Sequence, residues 1–327
     1  MTLSRREAIL SAGGLLLASA LPAQAAGTHV APSVLQGTGL GSTWTLVTGG
    51  RSDVGALRTA FTEAIASVDQ TMSPFRPDSE LSLFNRTAAT DWFPLSDGTC
   101  AVLAEGLRMA SLTAGAFNPT LGPLVAHYGF SPIKSGRPGA ANEVSVRADA
   151  ARKARADLSL DLCGIAKGFA LDRMRAVCIA HGLTDFLIEL GGEVFAQGRH
   201  PDGRAWRAGI ERPVPESGDV QRVVALDGAA LATSGDRING YFYRGRRYGH
   251  IIDPLTAEPV DSPLASVTVA AARAMTADAL ATALFAMGAE RGPAFAHETG
   301  IEALFILRDG ARLREVTTAG FEARIIA

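Results

Sequence analysis

The chain lacks the features that mark several large classes of protein. Its three cysteines form no CxxC pair and no metal-ligand spacing, and an odd number of thiols allows one disulfide at most. We therefore interpret Cys100, Cys163 and Cys178 as structural, with Cys163 and Cys178 as small apolar fillers. The net charge is only −2 and no basic stripe is present, which excludes a nucleic-acid surface. No internal repeat is evident.

The N-terminal segment carries signals for export. Ser4-Arg5-Arg6 precedes an apolar run from Ile9 to Leu21 that is too short to span a bilayer, and Ala23-Gln24-Ala25 follows as a cleavage pattern. This combination predicts a twin-arginine signal peptide over residues 1–26 and a mature domain over residues 27–327. Because no cysteine lies near the cleavage site, we expect a soluble periplasmic protein without a lipid anchor. A retained N-terminal membrane anchor is the alternative.

The rest of the chain mixes helical and strand patterns irregularly. About 300 residues remain after the leader, enough for one large domain or two interleaved lobes. Helices are predicted at 57–70, 97–114, 165–182 and 277–287, and strands at 43–47, 186–189, 206–210, 222–226, 247–252, 266–271, 303–307 and 312–316. Ser96 is the predicted N-cap of the second helix, and Gly115 closes it. This order predicts an α+β fold with mixed, mostly antiparallel sheets and packed helices.

The segment Asp161-Leu-Cys-Gly-Ile-Ala-Lys-Gly-Phe-Ala-Leu-Asp172 runs from a short strand through a glycine turn into a helix. The free N–H groups and the positive dipole end of such a helix favour an anion, and Lys167 adds a cation. A phosphate cradle is therefore one interpretation. The other is that the glycines serve packing.

Two proline-bounded segments are rich in polar residues. The segment 72–81 has the composition of a ligand-binding loop, although Ser79 and Glu80 are equally suited to cap a short helix. In the segment 116–123, two prolines predict an extended backbone against which a flat ring could lie. A simple helix terminator is the alternative there.

Three further segments combine strands with polar or glycine turns. Glu189-Leu-Gly-Gly-Glu193 permits close approach of a ligand or a β-bulge, and Ala232-Thr-Ser-Gly-Asp236 adds two hydroxyls on a predicted flexible turn. Arg247 to Pro254 has strand character and carries His250 among polar neighbours. From the spacing alone, His250 is either structural or a general base.

A carboxylate and a hydroxyl share one face of the helix predicted near residue 280. Asp278 and Thr282 stand at i and i+4, so both side chains point the same way. With Thr276 as the predicted N-cap, the helix dipole alone could explain the carboxylate. The pair also suits a hard cation such as Mg²⁺, which prefers oxygen ligands.

Taken together, these segments carry a family resemblance. The chain resembles the ApbE family of FAD:protein FMN transferases in seven segments that occur in the same order: MSPFRPDSELSLFN, GAFNPTLGPL, DLCGIAKGFALD, ELGGEVFAQG, ATSGD, YGHIIDP and ADALATALF. The resemblance extends from about Gly39 to the C-terminus. It implies an ApbE-like fold and a Mg²⁺-dependent enzyme that cleaves the FAD pyrophosphate, joins FMN through a phosphoester to a Thr or Ser of an acceptor protein, and releases AMP.

The resemblance also implies roles for individual residues. The implied metal ligands are Asp278, Thr282 and the backbone oxygens of Gly164 and Ala281. The implied FAD contacts are Leu40, Phe75, Ala116, Phe117, Asn118, Asp161, Lys167 and Ile252. His250 is implied as the group that accepts the proton of the acceptor hydroxyl, and Lys167 as a stabiliser of phosphate charge.

Three positions depart from the family pattern without removing a metal ligand. Phe75 replaces a usual tyrosine, Asn118 a usual aspartate and Ala257 a usual glycine. Two other functions stay open: a FAD pyrophosphatase in which water attacks, and a periplasmic flavin carrier without chemistry. The acceptors implied are membrane-bound redox subunits with a periplasmic flavin domain, among them sodium-pumping quinone reductases. A regulator of nitrous oxide respiration is the acceptor that the unanchored, exported form favours.

Overall fold

The computed structural model describes residues 32–49, 53–214 and 218–327 of the chain. The predicted signal peptide, residues 1–26, lies outside the described residues. The helices of the described part are α1 Val54–Met72, α2 Glu80–Arg86, α3 Asp97–Leu112, α4 Gly122–His127, α5 Ala166–Ala180, α6 Ala274–Thr299 and α7 Ala319–Glu322. No helix within the described ranges is both long and apolar enough to cross a membrane.

The strands are short and numerous. They are β1 Ser33–Gly39, β2 Ser42–Thr48, β3 Phe93–Pro94, β4 Val144–Arg147, β5 Ala150–Lys153, β6 Phe186–Leu190, β7 Glu193–Gln197, β8 Trp206–Glu211, β9 Val220–Leu226, β10 Ala229–Gly235, β11 Gly240–Tyr243, β12 Arg246–Gly249, β13 Ile252–Asp253, β14 Glu258–Pro259, β15 Leu264–Ala271, β16 Glu302–Asp309 and β17 Arg312–Thr317.

One eight-stranded sheet organises the molecule. Its strand order is β1-β2-β6-β7-β10-β15-β16-β17, and every neighbouring pair is antiparallel. Smaller sheets join β3, β5 and β4, then β8 with β9, β11 with β12, and β13 with β14. The predicted α+β class with mostly antiparallel strands is confirmed.

The sheet separates two hydrophobic cores because side chains alternate along each strand. Leu46, Ile188 and Phe305 lie in the larger core, which the sheet shares with α1, α5 and α6. Their strand neighbours Val47 and Leu187 face the smaller core on the opposite side of the sheet. There the sheet meets β8, β9 and the C-terminal segment. In place of the two predicted interleaved lobes, the described residues form two hydrophobic cores on opposite faces of one sheet.

Helix starts follow local capping signals where the cap lies close in sequence. The Ser96 hydroxyl accepts a hydrogen bond from the Thr99 N–H and begins α3, as predicted. The Ser79 hydroxyl accepts from the Ser82 N–H and begins α2, so the capping interpretation of this loop is confirmed. The Glu80 carboxylate instead accepts hydrogen bonds from the backbone N–H and hydroxyl of Ser96.

The start of α6 differs from the prediction. The helix begins at Ala274 after Arg273, not at Ala277 after an N-cap at Thr276. The Asp172 carboxylate, 102 residues earlier in the chain, accepts hydrogen bonds from the N–H groups of Ala274 and Met275 and so replaces a local cap. The predicted end at Met287 agrees with a break at Gly288, whose φ of 77° and ψ of −169° are not helical; a second helical stretch follows this kink up to Thr299.

Three predicted loop or strand assignments were wrong. The segment 232–236, predicted as a flexible turn, is mostly strand because it pairs with β15. The strand predicted over 247–252 ends at Gly249, and β13 begins only at Ile252. The backbone over 116–123 is not extended throughout, since α4 begins at Gly122. Pro123 lies in the first turn of this helix, where a backbone N–H would have no hydrogen-bond partner within the helix, so proline is tolerated there.

Candidate active site

A cavity of about 460 Å³ opens where the N-terminal ends of α5 and α6 meet the sheet. This volume lies in the range of small-molecule sites. Its walls are formed by residues within 40–42, 116–125, 161–167, 191–193, 211–213, 233–239, 250–252, 265–266 and 278–286. The cavity therefore depends on segments distributed over most of the described chain.

The glycine turn before α5 lies in the cavity wall. Asp161 caps the turn, because its Oδ1 accepts a hydrogen bond from the Cys163 N–H at 2.9 Å. The backbone that leads into the turn is fixed by Asn85, whose amide exchanges two 2.8 Å hydrogen bonds with the main chain of Leu160. On its other side the Asp161 N–H donates to the Pro119 carbonyl at 2.7 Å. The turn is therefore held from both sides.

The acid and hydroxyl of α6 face this turn. The Asp278 Oδ2 accepts a hydrogen bond from the Gly168 N–H at 2.9 Å, so one of the helix N–H groups predicted for phosphate binds a side chain instead. The Thr282 Oγ1 lies 3.4 Å from the Ser234 hydroxyl. A Cβ at Gly164 would lie only 3.1 Å from Thr282 Oγ1, which shows how closely turn and helix approach. The predicted meeting of these two elements across one cavity is observed.

Lys167 is paired inside the cavity. Its Nζ lies 2.8 Å from the Glu193 Oε1 and 3.3 Å from the Gly191 carbonyl. Burial lowers the pKa of Lys167, but the carboxylates of Glu193 and Asp278 outweigh it and the pKa is raised overall. Burial raises the pKa of Glu193 to about 8 against the opposing charge of Lys167. Burial likewise raises the pKa of Asp278, although Lys167 and the Gly168 N–H oppose it.

His250 lies at the wall of the same cavity in a defined tautomer. Its Nδ1 is 3.3 Å from the Asn239 carbonyl, and because a carbonyl only accepts, Nδ1 carries the proton in this contact. The Nε2 atom is then the basic nitrogen. Burial lowers the pKa of His250 to about 4, although the Asn239 contact opposes the shift. The ring is therefore neutral near pH 7.

Most of the predicted site residues line the cavity. These are Leu40, Ala116, Phe117, Asn118, Asp161, Gly164, Lys167, His250, Ile252, Asp278 and Thr282. Asn118 also organises the wall, since its Oδ1 accepts from the Thr120 N–H and its amide donates to the Gly139 carbonyl.

Two predicted residues lie elsewhere. Phe75 is 60% exposed on the loop between α1 and α2 and does not line the cavity. The Arg76–Asp69 ion pair at 3.3 Å holds that loop against the end of α1. Ala281 is fully buried in the core. Residues 278, 282 and 286 occupy the face of α6 that turns toward the cavity, and Ala281 lies off this face.

The structure contradicts the prediction for Cys163 and adds Glu193 to the site. The interpretation of Cys163 as a small apolar filler was wrong, because its side chain is exposed to the cavity. Cys178 is buried as expected. Glu193 received no role from the sequence, although it begins β7 directly after the two glycines of the turn. The Glu211–Arg237 pair at the cavity wall was missed as well, and no local pattern marks it.

The donor set is compatible with a hard cation. Over the described ranges, no group of three or more His, Cys, Asp or Glu side chains is arranged to hold a metal. However, the carboxyls of Glu193 and Asp278 lie close to the ammonium of Lys167 in the inner cavity wall. The Glu193 Oε2 is buried and has no hydrogen-bond partner among the described residues. A cation there would stabilise the ionised forms of these two carboxyls, whose pKa values burial raises.

The Thr282 hydroxyl supports the same conclusion. Some threonines in helices donate back to the carbonyl four residues earlier, as Thr62 does to Arg58 at 2.8 Å and Thr71 to Ser67 at 2.9 Å. Thr282 makes no such bond among the described residues, and its oxygen is directed to the cavity instead. The oxygens of Asp278 and Thr282 thus fit the ligand chemistry of Mg²⁺.

Comparisons with known proteins agree with this site. Residues 40–305 match the model of the ApbE family. A protein of Vibrio cholerae serotype O1 named FAD:protein FMN transferase is 35% identical over 288 residues, 84% of this chain and 86% of that protein. One of Klebsiella pneumoniae with the same name is 30% identical, over 93% of each chain. The solved structure of the flavin transferase ApbE from Vibrio cholerae has a TM-score of 0.81 at 32% identity and covers 90% of this chain and 99% of that chain.

Proposed function

Since the chain belongs to the ApbE family, we propose that it is an FAD:protein FMN transferase: it transfers FMN from FAD to a hydroxyl of a protein acceptor and releases AMP. One structural observation supports this chemistry. The acid and hydroxyl of α6, the glycine-lysine turn and His250 line one cavity large enough for part of a dinucleotide.

We assign a Mg²⁺ ion to the oxygens of Asp278 and Thr282, with the backbone oxygen of Gly164 as a further ligand. When bound, the ion would neutralise negative charge on the diphosphate. Lys167 supplies a second positive charge from the first turn of α5, on the same side of the cavity. The Glu193 carboxylate fixes the Lys167 ammonium at 2.8 Å, so the cation is positioned before the substrate binds.

His250 is the proposed general base. The acceptor oxygen forms a bond to the FMN phosphorus, the bond from that phosphorus to the bridging oxygen breaks, and AMP leaves with the electron pair. The Nε2 of His250 takes the hydroxyl proton, because Nδ1 already donates to the Asn239 carbonyl. Leu40, Phe117 and Ile252 exclude water from the wall, and Asp161 and Asn118 are proposed contacts of FAD.

We further propose that the chain is exported by the twin-arginine route and acts in the periplasm. The proposed acceptor is a membrane-bound redox subunit with a periplasmic flavin domain, and a regulator of nitrous oxide respiration is the preferred case. The pairing of export arginines with a small-residue cleavage pattern in residues 4–25 supports this proposal.

The test is a transfer assay with the purified mature chain, FAD, Mg²⁺ and such an acceptor domain. We expect stoichiometric AMP and an acceptor whose mass increases by one FMN. Release of AMP with free FMN only would identify a FAD pyrophosphatase, in which water replaces the acceptor hydroxyl. If FAD stays intact under all conditions, the result would favour a flavin carrier without catalytic activity.

A further inference from the structure

A small hairpin beside the cavity exposes more aromatic surface than the fold requires. Within the described residues, strands β11 and β12 pair with each other and stand outside the eight-stranded sheet. Tyr241 and Tyr243 are 42% and 54% exposed and share one face of the hairpin, where both rings contact Tyr248. Because side chains alternate along a strand, Phe242, which is 71% exposed, lies on the opposite face. Exposed aromatic side chains beside a cavity are typical of an interaction surface. We call Tyr241 and Tyr243 the hairpin surface.

Stacked rings connect this surface to the catalytic histidine. Tyr128, Tyr248 and Tyr241 stack in sequence with ring centroids 6.2 and 5.4 Å apart. Phe130 then stacks on Tyr241 at 5.6 Å and contacts the His250 ring edge-on at 6.3 Å. The hairpin surface is therefore continuous with the cavity wall at His250.

The base of the hairpin is anchored by charges. The Asp236 carboxylate binds Arg247 at 2.9 Å and Arg308 at 2.6 Å, which ties β12 to strand β16 of the main sheet. The backbone N–H of His250 also donates to the Asn239 carbonyl, at 3.2 Å, at the base of the hairpin. The hairpin is held in place while its outer backbone edges have no strand partner among the described residues.

We propose that the hairpin surface docks the acceptor polypeptide, as an extended segment with apolar side chains beside its acceptor Ser or Thr. This inference rests on the proposed function, because the acceptor hydroxyl has to reach His250 Nε2 and the Tyr241 ring stacks on the Phe130 ring that contacts His250. Ile238, 45% exposed and also part of the cavity wall, extends the apolar surface to the mouth. An extended segment can pair with a hairpin edge while its side chains contact the exposed rings.

The test compares the variant Tyr243→Ser with the control Phe242→Ser, a more exposed residue on the opposite face of the same strand. The acceptor probe is a library of nonapeptides with a fixed central Thr, scored by the mass gain of FMN. We expect the unaltered chain to select apolar residues next to the Thr. Tyr243→Ser should lose this selection and show an acceptor KM raised at least about tenfold, whereas Phe242→Ser should keep both. The kcat of Tyr243→Ser and its affinity for FAD should be unchanged.

Several results would overturn the inference. These are selection of the same peptides by Tyr243→Ser, no apolar preference in the unaltered chain, and an equal loss in Phe242→Ser. Conversion of a dimer to a monomer with transfer unchanged would assign the hairpin surface to a second copy of the chain. Transfer to an acceptor domain but to no peptide contradicts this inference alone, whereas transfer to neither contradicts the proposed function.

Discussion

At the residue scale, Asp278 is the carboxylate on which the proposed metal site depends. Its Oδ2 is occupied by the Gly168 N–H, which Asn would still satisfy through its carbonyl oxygen. We expect Asp278→Asn to fold normally and to lose at least about a hundredfold in Mg²⁺-dependent turnover, since the charge that binds the cation is gone. AMP release at saturating Mg²⁺ measures this. Asp91→Asn on the surface is the matched control, and equal activity of both variants would contradict the assignment.

His250 gives a prediction about pH. Because burial lowers its pKa to about 4, Nε2 is available as a base at all higher pH values. We expect turnover to fall only as the pH approaches 4 and to show no inflection near 6.5. His250→Gln should reduce kcat by about a hundred- to ten-thousandfold. A pH–rate profile with an inflection near 6.5 would rule out the buried neutral histidine as the base.

The same shift affects stability with a definite sign. Between pH 6.5 and 4 the unfolded chain protonates His250 and the folded chain does not. The unfolded state then binds more protons, so stability rises with pH through this window and is lost as the pH falls. We expect the Tm difference between pH 7 and pH 5 to be smaller in His250→Gln than in the unaltered chain.

At the element scale, the contact between α5 and α6 sets the position of Asp278. A Cβ at Gly168 would lie 2.4 Å from the Ala274 carbonyl oxygen, closer than any side chain tolerates. We expect Gly168→Ala to push the helices apart and to cost about 1–3 kcal/mol of stability, with loss of turnover. Gly98→Ala in α3 is the control, because its nearest neighbour is 3.5 Å away. Urea unfolding should find Gly98→Ala neutral or stabilised by up to about 1 kcal/mol.

The α6 helix also shows what a sequence reveals about a site. The spacing of Asp278 and Thr282 predicted their common face, since periodicity is local. The start of the helix was not predictable from its neighbourhood, because its cap is Asp172 from another helix. In the same way Glu193 could not be recognised as the partner of Lys167, since the β6–β7 turn brings them together in space. Long-range pairings of this kind leave no local pattern.

At the scale of the whole molecule, the irregular alternation of helices and strands was enough to predict the α+β class. The strand order was not predictable, because β2 pairs with β6 and β7 with β10 across long stretches of chain. For Phe75, the motif predicted a flavin contact, yet the loop between α1 and α2 places the ring outside the cavity. Its role in FAD binding is not supported by its position here.

Ligand linkage tests the site as a unit. If FAD and Mg²⁺ bind together to the folded chain, each at a hundred times its Kd, stability should increase by at least about 2.7 kcal/mol. For a domain of this size that corresponds to a rise in Tm of about 5 °C. We expect FAD with EDTA to give a clearly smaller rise. An identical rise with and without Mg²⁺ would show that the metal does not couple to FAD.

The distribution of the cavity wall over residues 40–286 has a consequence for how the enzyme matures after synthesis. No single supersecondary unit holds enough of the wall to bind substrate, so partly folded chains should be catalytically silent. Slow, non-local strand pairing should then limit the return of turnover after dilution from denaturant, and helical circular dichroism should recover earlier. The rate at which turnover returns would thus measure the last step of folding.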